Sequence, residues 1–203
     1  QAKGKYICFL DSDDLWIRKK LESQLTWMEE HPLCSVSYTD EIWIRNGRYV
    51  NAMKKHRKYT GDIFQYCLPL CIVSPSSVMI RLSFFDEVGC FDESLPVCED
   101  YDLWLRMALI TNFHFFNQKL IIKFGGHEDQ LSKKYWGMDR FRIYALEKLL
   151  RDEQLNGERR SQTIEMLKKK CGILSRGFAK RRKIAQALYY GNLIKKYQSN
   201  ITS

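Results

Sequence analysis

No stretch of the sequence approaches the ~20 consecutive apolar residues that a helix needs to span a bilayer. The nearest, Tyr66 to Val73, is short, and Pro69 and Pro75 punctuate the region. The N-terminus lacks the basic, apolar and small-residue succession of a secretory signal. Zinc-type CxxC pairs are missing too: Cys8, Cys34, Cys67, Cys71, Cys90, Cys98 and Cys171 are odd in number and irregular in spacing. That pattern excludes a disulfide framework and reads as reduced thiols in a cytoplasmic protein, with Cys8 in the core. No internal repeat is visible. With 45% hydrophobic and 28% charged residues, the composition also rules out disorder, collagen and coiled coil.

What is present is enough for one globular domain, or one domain with a small appendage, in 203 residues. The formal charge is +9, with basic clusters at Lys54 to Lys58 and Lys168 to Lys183. Such a balance suits a polyanion, an anionic lipid surface or a phosphorylated small molecule, and equally a solvated basic face. The basic residues are not interleaved with a stacking pattern of aromatics, so no nucleic-acid partner is expected. Peripheral contact with a membrane surface stays open.

Along the chain, Lys5 to Leu10 reads as a strand buried on both faces, as in α/β sheets. Asp11-Ser12-Asp13-Asp14 then caps a helix with Leu15, Trp16, Leu21, Leu25 and Met28 at helical spacing, stopped by His31-Pro32. Ser35 to Thr39 is a strand, and Glu41 to Val50 a hairpin turning at Asn46-Gly47. A basic loop covers Lys54 to Tyr59, a short helix Asp62 to Leu70, and a strand Ser77 to Arg81. Glu99 opens a helix with Leu103, Met107 and Ile110 on one face. Phe113 to Phe124 is strand-rich. Beyond about residue 135 the pattern is helical, with Leu146, Leu149 and Leu150 forming a stripe that packs on the preceding region. The division expected is a catalytic domain over residues 1–135 and a helical C-terminal extension over residues 136–203.

Four constellations could carry chemistry. Asp11-Ser12-Asp13 lies at a strand end, where open α/β sheets bind ligands, and two carboxylates one residue apart suit Mg²⁺ or Mn²⁺; the same residues also suit a helix cap. Glu99-Asp100-Tyr101-Asp102 opens a helix and offers a general base, or a dipole-stabilised first turn. Gly125-Gly126-His127 could bring an imidazole to a metal. Lys54-Lys55-His56-Arg57-Lys58 could hold a phosphate or an anionic acceptor.

In this order the pieces resemble family 2 glycosyltransferases. The residues that carry the resemblance are Gly4 to Trp16 (GKYICFLDSDDLW), Val88 to Glu93 (VGCFDE), Glu99 to Arg106 (EDYDLWLR), and His127 with Gln130 and Ser132. The match covers roughly residues 1–135. It implies the glycosyltransferase A fold and an inverting transfer from a nucleotide-sugar donor to a glycan or lipid-linked acceptor in surface glycan assembly, in the cytoplasm or at the inner face of the membrane. Asp11 would lie near the ribose and the metal. Asp13 would ligate Mn²⁺ or Mg²⁺, and His127 would complete the metal site. Asp100 would be the catalytic base, with Glu99 supporting it or touching the acceptor. Lys54, Lys55 and Trp104 are expected on the acceptor side.

Two departures accompany the resemblance. The strand, turn and helix with which such enzymes grip the nucleotide base are not in the sequence, so the chain reads as N-terminally truncated and the donor base is not legible. After Gln130 comes LSKKYW rather than QxxRW, which argues for a single addition and against a processive synthase. The alternatives are a nucleotidyltransferase of the same fold, a basic nucleic-acid-binding protein, and an inactive fragment of a glycosyltransferase.

Overall fold

The computed structural model describes residues 2–126 and 134–198. Six strands form one mixed sheet: β1 (Tyr6–Ile7), β2 (Asp14–Trp16), β3 (Val36–Arg45), β4 (Arg48–Val50), β5 (Val78–Arg81) and β6 (Phe113–Gly125), in the order β1-β5-β3-β6-β2 with β4 paired to β3. β3 is the spine, and β-branched and aromatic residues (Val36, Tyr38, Thr39, Ile42, Trp43, Ile44) favour its pleat. It runs parallel to β6 and antiparallel to β5. Its register against β6 slips around Asp40, a bulge that re-aims the side chains of Thr39 to Glu41.

The hairpin expected at Asn46-Gly47 is there. Arg45 pairs with Arg48, and φ values of 50° and 73° at Asn46 and Gly47 give the left-handed pair of a two-residue turn. Two other expectations need correction. Lys5 to Leu10 is not a strand buried on both faces: only Tyr6–Ile7 pairs, antiparallel to β5, and it ends the strand order of the described residues with both side chains half-buried. The acidic cluster does not cap a helix either. Asp14 N–H donates to Asp11 O (3.0 Å) in a turn, and Asp14–Trp16 then pairs antiparallel with β6. The ladder to β6 satisfies the backbone there, so tertiary pairing overrides the local helix signal.

Helix α1 (Lys20–Glu30) therefore starts later, and it buries Lys20, Gln24 and Met28, while Leu21 and Leu25 are exposed. The face is chosen by polar pairing. Gln24 Nε2 donates to Ser37 Oγ (3.1 Å) and Ser77 O (3.2 Å), and Lys20 Nζ donates to Val78 O (3.3 Å). Burial lowers the Lys20 pKa to about 8.

Two short helices, α2 (Phe64–Cys67) and α3 (Phe84–Val88), precede α4 (Glu99–Ile110), which lies within the long crossover from β3 to β6. Leu103 and Met107 of α4 are buried as expected, but Ile110, expected on the same face, is 37% exposed at the helix end. Among the described residues the helices α5 (Asp139–Leu149), α6 (Gly157–Lys180) and α7 (Ile184–Gln198) follow. A single buried cluster runs from Val36 and Tyr38 through Leu103 and Met107 to Leu146 and Leu149, then Leu167, Phe178 and Tyr190. The Leu146-Leu149-Leu150 stripe is thus internal packing, as its spacing predicts. None of the described helices is long and apolar enough to cross a membrane.

Candidate active site

The site is organised by the loop Cys71–Ser77 (CIVSPSS), which joins α2 to β5 and ends in a 3-10 turn opened by Pro75. Nearly every residue of it ties down a different element. Trp104 Nε1 of α4 donates to Val73 O (3.1 Å), and Lys58 Nζ donates to Ile72 O (2.7 Å). Lys123 Nζ of β6 donates to Ser74 Oγ (2.7 Å). Ser76 Oγ donates to Asp14 Oδ2 (2.6 Å) and accepts from Asp11 N–H (3.1 Å), while Trp16 Nε1 donates to Ser76 O (2.8 Å). The acidic turn after β1 and the start of α4 are both anchored to this loop.

Within the acidic turn Asp13 is exposed, the Asp11 side chain is 43% exposed and that of Asp14 is 1% exposed. Lys123 Nζ stands 3.3 Å from Asp14 Oδ2 and 3.9 Å from Asp11 Oδ2. Burial raises the Asp11 carboxyl above its ordinary range; Lys123 opposes this, and Asp14, Asp13 and Asp100 push it further up. Glu99 is likewise raised, by burial first, with Asp100 and Asp11 adding to it. Asp11 thus lies within electrostatic reach of Asp13, Asp14 and Asp100, and Glu99 within reach of Asp100 and Asp11.

Asp100 is held at both oxygens. Oδ1 accepts from Tyr101 N–H (2.7 Å), and Oδ2 lies 3.1 Å from Cys71 Sγ. Burial, reinforced by Asp100, pushes the Cys71 pKa well up, so it stays a thiol and can donate. Asp102, two residues on, faces away from the cluster: it binds Arg106 (2.8 Å) and Lys148 (3.1 Å). Arg106 also donates to Val88 O and Cys90 O, and Lys148 to Asp92 (2.7 Å), whose pKa that bond lowers to about 2. Glu99 and Asp100 therefore lie on the side of the acidic turn, while Asp102 fastens α4 to the Val88–Glu93 segment and α5, and Tyr101 donates its hydroxyl to Leu68 O (2.6 Å).

Trp104 does not face an acceptor. It is 1% exposed and its indole N–H is spent on Val73 O, so it supports the loop from the core. Lys54 and Lys55 are exposed on a 3-10 turn, Lys54–His56, and Lys54 lines a cavity of about 1030 Å³ that also has Asp40, Phe115 and Asn117 in its wall. Among the described residues no hydrogen bond or ion pair joins Lys54 or Lys55 to the acidic turn. Lys58 of the same run is buried instead, paired with Glu41 at 3.0 Å, with 6% and 3% of the two side chains exposed. His127, Gln130 and Ser132 lie outside the described residues.

Cys71, Ser74, Ser76 and Lys123 were not singled out by sequence reasoning. A signal existed for Lys123, a single charge inside the apolar strand Leu120–Phe124. Among the described residues no group of three His, Cys, Asp or Glu could hold a metal by itself. Mg²⁺ and Mn²⁺ do not require one, because one or two carboxylates plus substrate phosphates are enough. The half-exposed Asp11 and the exposed Asp13, two carboxylates one residue apart, fit that kind of site.

A profile of the family described as "Glycosyltransferase like family 2" matches residues 1–159. An uncharacterized glycosyltransferase of Rickettsia bellii is 31% identical over 137 residues, 65% of this chain and 20% of that protein. The Escherichia coli UDP-Glc:alpha-D-GlcNAc-diphosphoundecaprenol beta-1,3-glucosyltransferase WfaP is 33% identical over 111 residues, 52% of this chain and 39% of that enzyme. The chain thus spans between a fifth and two-fifths of the length of these relatives. S. aureus TarS 1-349, solved in complex with UDP-GlcNAc, superposes with a TM-score of 0.66 at 18% identity, over 93% of this chain and 56% of that one. That likeness shows the expected α/β glycosyltransferase fold. Matched by the family profile along most of its length, the chain belongs to the family 2 glycosyltransferases.

Proposed function

We propose that the chain carries the acidic centre of an inverting, metal-dependent transferase that moves a sugar from a nucleotide-sugar donor to an acceptor hydroxyl. The observation that carries this reading is that two acidic segments nearly ninety residues apart are fastened to one loop, Asp11 and Asp14 through Ser76 and Asp100 through Cys71. TarS was solved with UDP-GlcNAc, and WfaP is named for UDP-Glc and a diphosphoundecaprenol-linked acceptor. These support a UDP-sugar donor and a lipid-linked acceptor in glycan assembly. Seven free thiols fit a reducing, cytoplasmic setting.

In this reading Asp100 accepts the proton of the acceptor hydroxyl as that oxygen attacks the anomeric carbon. The bond from that carbon to the diphosphate breaks on the opposite side, which inverts the centre. Matched general-base assistance is worth about 10²–10⁴-fold. Asp11 and Asp13, with His127 from the adjoining segment, would hold Mn²⁺ or Mg²⁺, which when bound offsets charge gathering on the leaving diphosphate. Glu99 adds a second carboxylate on the acceptor side. Tyr101 N–H and the Cys71 thiol hold the Asp100 carboxylate in place. Lys123 keeps Asp14 and Asp11 from repelling each other before substrate arrives.

The test is product identity with UDP-Glc and UDP-GlcNAc as donors, Mn²⁺, and a polyprenyl-diphosphate N-acetylglucosamine acceptor. Release of UDP, abolished in Asp100→Asn, supports the reading. Release of pyrophosphate would favour nucleotidyl transfer, and UDP release indifferent to Asp100 would remove the proposed base.

A further inference from the structure

The basic excess of this protein is confined to its end. Residues 166–203 contain ten Lys and Arg and no Asp or Glu, so the other 165 residues, with 23 basic and 24 acidic, are close to neutral. Lys168 pairs with Glu165 and Lys170 with Asp139. Lys180, Arg181, Arg182 and Lys183 have no carboxylate partner among the described residues. They form the corner between α6 and α7, where Arg182 takes a left-handed φ of 57° and turns the chain back on itself. Every residue from Ala179 to Gln186 is exposed.

Apolar side chains stand out beside this corner. Ile184, Leu188 and Tyr189 on α7 are 59%, 60% and 59% exposed, and Trp136 is 54% exposed. They are not the packing face of α7, which is Tyr190, Leu193 and Tyr197. Trp136 and Tyr189 share a shallow cavity of about 440 Å³ with Lys183 and Arg140, and the Arg140 guanidinium lies 4.1 Å from the Trp136 ring centroid. Four consecutive cations, aromatics with exposed rings and two aliphatic side chains one helical turn apart form a combined surface. Cations are drawn to an anionic leaflet, aromatic rings favour the headgroup level, and aliphatic side chains gain by leaving water.

We infer that the α6–α7 corner is a docking surface for an anionic lipid bilayer, centred on Lys180–Lys183 with Ile184, Leu188, Tyr189 and Trp136 entering the headgroup region. Charge complementarity identifies the occupant, and the aliphatic pair distinguishes it from a nucleic acid, which would leave Ile184 and Leu188 without a role. The inference is independent of the transfer reaction, so failure of one leaves the other standing.

The experiment is co-sedimentation of the full chain with vesicles of pure phosphatidylcholine and of phosphatidylcholine mixed with phosphatidylglycerol. Binding should need the anionic lipid and weaken steeply with salt. A basic side chain near an anionic surface contributes about five-fold in affinity, so Lys180→Gln, Arg181→Gln, Arg182→Gln and Lys183→Gln together should cost on the order of several hundred-fold. Ile184→Ser with Leu188→Ser should weaken binding by a factor that salt does not change. All six side chains are exposed, and unaltered circular dichroism and thermal unfolding would confirm that the variants fold. Equal binding to neutral vesicles, an undiminished quadruple variant, or binding to RNA or DNA but not to vesicles would overturn the inference.

Discussion

The acidic centre and the α6–α7 corner use charge in opposite ways. In the centre, carboxylates from two distant segments are brought together and partly desolvated, and a few donors (Ser76, Tyr101 N–H, Lys123) fix them in place. At the corner, four cations project into water with their backbone turn held by Phe178 O and Ala179 O. Desolvated, fixed charge has raised proton affinity and defined geometry, which is what catalysis needs. Solvated, mobile charge acts over a Debye length and suits association. Salt should therefore separate the two regions, changing association at the corner far more than chemistry at the centre.

That contrast can be broken most severely at Asp100. Asp100→Asn keeps the shape of the side chain but cannot accept a proton, and kcat should fall by about 10²–10⁴-fold with donor affinity nearly unchanged. Steady-state kinetics would show it; a parallel rise in donor KM would mean that Asp100 binds substrate instead. Next is the buried pair under the hairpin. Lys58→Met removes the ion-pair partner of buried Glu41, leaving only the Trp43 indole N–H and the more distant Lys123, and should cost about 3–5 kcal/mol in urea unfolding. A cost below about 1 kcal/mol is what a solvated pair would show, and the contrast between buried and exposed charge would blur.

Lys20 gives a smaller effect with a sign that depends on pH. Its pKa falls from 10.5 to about 8, so between those values the unfolded chain holds a proton that the folded chain has released. Stability should therefore rise with pH through that window, by about 3 kcal/mol in all, and the burial cost is fully in force below about pH 8. Lys20→Met should flatten the rise; an equal rise in both proteins would assign it to other groups. The smallest change is expected from charge reversal at exposed Lys54 and Lys55. Acceptor KM should rise by a few-fold, as for rim charges at a binding surface. An unchanged KM would separate the Lys54–His56 turn from acceptor binding.

Much of this layout is legible in the sequence. Asn46-Gly47 fixes its turn through two left-handed residues, which almost nothing else in the chain could override. Helix α4 begins at Glu99, and the Leu146-Leu149-Leu150 stripe packs inward, because apolar periodicity and burial agree there. Asp13-Asp14-Leu15-Trp16 shows the limit: its local signal is a helix start, but pairing with β6 decides, and β6 begins nearly a hundred residues later. The face of α1 was hidden for a related reason. Lys20 and Gln24 are buried through bonds to β5 and to Ser37 and Ser77, partners that periodicity does not reveal. The loop Cys71–Ser77 was the largest omission. Its importance lies largely in backbone carbonyls, which have no one-letter signature; the Val73 carbonyl that takes up the Trp104 indole N–H is one of them.

The central claim is that the Asp11–Asp14 turn and the start of α4 form a metal-assisted nucleotide-diphosphate site. Calorimetric titration of UDP into the full chain, with and without Mn²⁺, tests it most directly, with Asp13→Ala alongside. Saturable binding that requires Mn²⁺ and disappears in Asp13→Ala is the predicted result. Binding of equal strength without the metal, or preserved in Asp13→Ala, would contradict the account.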